Sequence, residues 1–171
     1  MHKFALVYIA FPLLMASSAL SQDVHCNFDN TIDFSKFKSY RWVYFKSVAP
    51  IDNLTDEQIK AEVDAALAHK GLTKVEGDSN PDLFIGYKTN EFIDEEFATV
   101  PTSNGSPRTI YSGKLGIDMY TVANHHLVWR GIASKTLDRK ANPEKRQKNL
   151  NKAVTKLLKN YPPPGACVLN G

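Results

Sequence analysis

Apolar positions along the chain change period several times, and each change marks an element. Residues 39–45 (SYRWVYF) are aromatic and β-branched, which suits a strand better than a helix. Residues 50–54 interrupt it, and Thr55 stands three residues before Gln58 in the pattern of a helix capping box. Ile59, Val63, Ala66 and Leu67 follow at helical spacing, with Gly71 where a left-handed C-terminal cap would sit. Turn residues at 78–81 precede a second strand over 82–89, with Leu83, Ile85 and Tyr87 on one face. The pattern weakens after Asn90, so 91–108 reads as a loop or irregular hairpin. Residues 109–120 alternate around Leu115, Ile117 and Met119, and 127–136 (LVWRGIASKT) follow a short polar connection through Asn124, His125 and His126, which predicts a β-hairpin. Asn142, Pro143 and Glu144 supply an N-cap, a first-turn proline and a first-turn acid for a last helix running to about Tyr161.

The order β-α-β-β-β-α has one helix linking strands, too few for a doubly wound sheet. The expected fold is α+β: a mixed four- to five-stranded sheet with two helices on one face. The first helix would then cross between two parallel strands.

Export is written at the N-terminus. A short positive start, an apolar run over 4–15 and small residues at 16–21 have the order of a secretory signal, cleaved after Ser21. The apolar run is near a dozen residues where a membrane span needs about 20, so no transmembrane anchor is expected in the mature protein. The chain thus divides into a signal peptide (1–21), a polar lead-in (22–38), a single globular domain (39–161) and a Pro-rich tail (162–171). With 43% apolar and 23% charged residues, composition indicates neither disorder nor a membrane bundle.

Two cysteines, Cys26 and Cys167, remain after cleavage. An oxidising compartment makes them a natural pair, closing a loop whose constraint is worth on the order of 4 kcal/mol in the chain-entropy model. Free or intermolecular thiols are the plain alternative. Lipidation of Cys26 meets an obstacle in Asp23, Val24 and His25, which are not the small apolar triplet that lipoprotein processing reads.

The segments SYRWVYF, VDAALAHKGL, NPDLFIGY, LVWRGIAS and PEKRQKNLNKAVTKLLKNYPP together resemble the bacterial envelope family of domain of unknown function 4136. The resemblance spans about 34–163, and its motifs are packing motifs. It implies a periplasmic or outer-membrane-associated protein whose relatives are commonly lipid-anchored, and it carries over no catalytic residue. The lipidation cysteine of an anchored member is missing here, which favours a soluble product.

Charge is distributed unevenly. Residues 135–159 hold nine basic and two acidic side chains, whereas 22–134 hold eleven against sixteen. Lys145, Lys148, Lys152, Lys156 and Lys159 fall within an arc of about 80° opposite Leu150, Val154, Leu157, Leu158 and Tyr161 at 100° per residue. Such a stripe is a solvated helix face or a contact for an anionic surface, such as lipid headgroups or wall polymer. Nucleic acid is excluded by the compartment.

Chemistry is sparse. His125 and His126 belong to no metal-ligand spacing, the acidic run at 94–96 lacks a calcium-loop ladder, and there is no nucleophile elbow or phosphate loop. Trp42 and Trp129 read as strand packing. No metal, cofactor or catalytic residue is expected. The leading expectation is a non-catalytic binding or scaffold module for an envelope protein, anionic polymer or lipid headgroups. An enzyme of unrecognised type, using His125, His126 and acids of 91–108, is the alternative, and a structural protein is a third.

Overall fold

The computed structural model describes residues 23–45, 51–94, 110–138 and 140–163. The expected signal peptide, most of the 91–108 segment and Cys167 lie outside the described residues.

The sheet has six strands: β1 (Asp23–Phe28), β2 (Ser39–Trp42), β3 (Thr73–Lys74), β4 (Leu83–Asp94), β5 (Ile110–Thr121) and β6 (Leu127–Thr136). Two helices complete it, α1 (Asn53–Ala68) and α2 (Pro143–Leu158). The spatial order is β1-β6-β5-β4-β2-β3, with β2 parallel to β3 and β4 and the other pairs antiparallel. The fold is therefore the mixed α+β arrangement expected, with two more strands than the pattern reveals. Residues 22–38 are more than a lead-in, because Val24, Cys26 and Phe28 alternate inward along an edge strand that pairs with β6. The two-residue β3 is shorter than any period.

Register puts both helices on one face. Trp42 pairs with Ile85, Ile85 with Met119 and Met119 with Trp129, so these side chains share one side of the sheet. Ile59, Val63 and Leu67 of α1 and Val154, Leu157 and Leu158 of α2 close over them in a single core. The extra residue of a β-bulge between Met119 and Tyr120 leaves Val128 and Trp129 both fully buried. Gly131 lets α2 approach closely: a Cβ there would overlap the Trp129 ring and stand 2.7 Å from Leu157.

Asp52 caps α1 by accepting a 2.9 Å hydrogen bond from the Thr55 amide, so the helix starts before the Thr55 box that the sequence suggests. Gly71 takes the left-handed conformation expected after the helix, with φ 83°. Asn142 caps α2 as anticipated, accepting from the Lys145 amide at 2.8 Å. Asp64 of α1 accepts from Tyr40 at 2.6 Å and from Trp42 Nε1 at 2.7 Å, and Lys74 lies 3.1 Å away. These bonds fix α1 over β2 and β3, and burial followed by the bond to Asp64 pushes the Tyr40 phenol far above its ordinary pKa.

Cys26 is buried on β1 opposite Gly131, beneath the C-terminal half of α2. Tyr161, in the turn after α2, has its ring 5.6 Å from Trp129 and 5.9 Å from Phe34. Alkylation of the unfolded protein without reductant is expected to spare both thiols. Modification of both under those conditions would rule the pairing out.

Candidate functional site

All five lysines of the predicted stripe are exposed, four on α2 and Lys159 as its C-cap, while Val154, Leu157 and Leu158 are buried on the other side of the helix. Lys145 pairs with Asp138 at 2.7 Å, and among the described residues no acid forms an ion pair with Lys148, Lys152, Lys156 or Lys159. Their field is felt nearby. Burial, then Lys152, Lys145 and Lys156, push the Lys135 ammonium on β6 below its ordinary pKa.

The flank of α2 between core and lysine face borders a groove. Arg146, Asn149, Leu150 and Ala153 form that wall, and the far ends of β4, β5 and β6 form the floor. The cavity is about 780 Å³. Its apolar lining includes Leu115, Ala133, Leu137 and Ala141, and its cations are Lys114, Lys135 and Arg146. The groove exists because β4 and β5 run twelve residues each, roughly 40 Å at about 3.3 Å per residue. A sixteen-residue helix covers only about 24 Å.

The profile of the family described as a domain of unknown function, DUF4136, matches residues 24–163. The chain belongs to the DUF4136 family. Among solved structures, a PDZ domain protein from Parabacteroides distasonis superposes with a TM-score of 0.58 at 16% identity, over 82% of this chain and 36% of that one. This DUF4136 chain therefore spans about a third of the length of that neighbour. The PelC dodecamer from Paraburkholderia phytofirmans gives a TM-score of 0.50 at 11% identity, covering 81% and 95% of the two chains. A DUF4136 family protein from Bacteroides thetaiotaomicron gives 0.49 at 16% identity, covering 79% and 95%. No curated protein matches the sequence. At such identities the likeness is one of fold.

The two histidines of this DUF4136 domain part company in the β5–β6 turn. His125, at φ 54°, lies with its ring 5.7 Å from Phe84, whereas His126 Nε2 is 3.0 Å from Asp29. Residues 91–94, expected to open a loop, instead extend β4, and the connection on to β5 starts at the end of these strands opposite the histidines, so the sheet does not bring its anchor points near the histidines. Trp129 is buried packing, and Trp42 is half-buried and bonded to Asp64. Among the described residues no three metal-ligating side chains are grouped, and no helix is long and apolar enough to cross a membrane.

Sequence reasoning missed two features. One is the groove, whose walls come from three strands and both helices. The other is Asp118, 2% exposed on the sheet face away from the helices. Arg130, directly across on β6, clamps it through two 2.6 Å hydrogen bonds, Tyr120 donates at 3.2 Å, and Lys88 stands 3.6 Å away. Phe45 shields this cluster, its ring 5.7 Å from that of Tyr120 and 4.7 Å from the Lys88 ammonium. A lone acid inside the alternating β5 pattern was the available signal.

Proposed function

We propose that this DUF4136 protein is exported to the bacterial envelope and works there as a non-catalytic binding module, meeting an anionic surface through the lysine face of α2. The carrying observation is the exposed stripe of Lys145, Lys148, Lys152, Lys156 and Lys159, in which only Lys145 has an acidic partner among the described residues. Core contacts of α2 lie on the opposite side, so docking there leaves the fold undisturbed. The N-terminal sequence supports export. Burial of Cys26, with Asp23, Val24 and His25 paired to β6 ahead of it, supports a product not lipidated at that cysteine.

Each lysine near an anionic membrane contributes on the order of 1 kcal/mol, enough for weak, reversible attachment. The protein should sediment with anionic vesicles at low salt and dissociate as the Debye length falls from about 10 Å at 0.1 M to about 3 Å at 1 M. A Lys148→Glu, Lys152→Glu, Lys156→Glu variant should stay in the supernatant. Equal sedimentation of both proteins, or binding indifferent to salt, would leave the stripe as a solvated helix face.

A further inference from the structure

We infer that the groove between α2 and the far end of the sheet binds a single-chain anionic amphiphile, with the acyl chain over Leu115, Ala133 and Leu150 and the acidic head at Lys135 and Arg146. The inference stands apart from the lysine face, since the groove uses a different flank of α2.

Size, lining and charge each narrow the occupant. At about 780 Å³ the cavity falls within the range of about 300–1,000 Å³ common to small-molecule sites. Its apolar residues come from β5, β6, α2, the β6–α2 connection and Ile51 ahead of α1, so apolar surface lines both floor and wall. Leu137 in that connection is 40% exposed and borders the cavity. A purely polar ligand would give up its own hydration against surface that offers no hydrogen bonds in return.

The charged groups select the head. Among the described residues lining the groove, Lys114, Lys135 and Arg146 stand against Asp138 as the one acid, and Asp138 is already bonded to Lys145 at 2.7 Å. Lys135 is half-buried, its amine donates to Asn149 at 2.7 Å, and it stands in the field of Lys145, Lys152 and Lys156. An anion arriving there relieves repulsion among the cations and gains charge-assisted hydrogen bonds. A carboxylate and a phosphate monoester or diester share this chemistry.

Titration calorimetry below the micellar concentration separates the cases, using oleate, lysophosphatidylglycerol and uncharged monoolein on the purified protein. Oleate, lysophosphatidylglycerol or both should bind at least tenfold more tightly than monoolein, and whichever does identifies the head. Lys135→Gln should weaken that binding about tenfold while vesicle sedimentation stays as in the wild type, so this site and the lysine face can fail separately. Ala153→Phe, which fills the groove at its helical wall, should abolish binding. Should Ala153→Phe not fold, Lys135→Gln suffices. No binding by either anionic ligand, equal binding of monoolein, or wild-type affinity in Lys135→Gln would overturn the inference.

Discussion

Asp118→Ala is expected to unfold at markedly lower urea concentration than the wild type, with a stability loss on the order of 3 kcal/mol. The carboxylate is 2% exposed, yet it answers two cations and a phenol from neighbouring strand positions. Its hydrogen bond to Arg130 holds that guanidinium above its ordinary pKa. Removing the acid leaves Arg130 and Lys88 facing each other under Phe45 without a counter-charge. Breaking a buried pair from one side typically costs about 3–5 kcal/mol. The low end applies because the Arg130 side chain is 39% exposed and can partly rehydrate. A control distinguishes the lost pair from general disruption: Asp118→Leu combined with Arg130→Met should recover much of the loss, since apolar replacement of both partners is often close to neutral. A urea midpoint for Asp118→Ala equal to the wild type would show that the cluster contributes nothing to folding.

Leu157→Ala should cost about 2–5 kcal/mol, whereas Lys156→Ala, one residue earlier, should stay within about 0.5 kcal/mol. Leu157 is fully buried against Gly131 and near Trp129, where α2 closely approaches β6. Gly131 has no side chain to move into the vacated space, and the Trp129 ring is packed against Tyr161 at 5.6 Å, so the cavity can collapse only partly. Lys156 is exposed. Equal melting of the two variants in denaturant titrations would mean that the orientation of α2 is wrong.

Much of this architecture was legible in local patterns. The core face of α2, its Asn142 cap, the β5–β6 hairpin, the parallel pairing of β2 with β4 and the lysine stripe all follow from periods of 3.6 or 2 and from cap chemistry. Strand β1 also carried an alternating Val24, Cys26 and Phe28, but three apolar positions among polar neighbours do not separate a strand from a lead-in. The start of α1 was misplaced because Asp52 and Thr55 both offer cap chemistry, and only the backbone decides which one serves.

What the sequence by itself determined is therefore each element that buries a stripe of its own side chains, because burial imposes a repeating pattern on consecutive residues. The groove and the Asp118 cluster were decided by the tertiary structure alone. Lys135 meets Asn149 and Asp118 meets Arg130 through strand register and helix length, and those contacts join residues distant in the chain, where no local period records them.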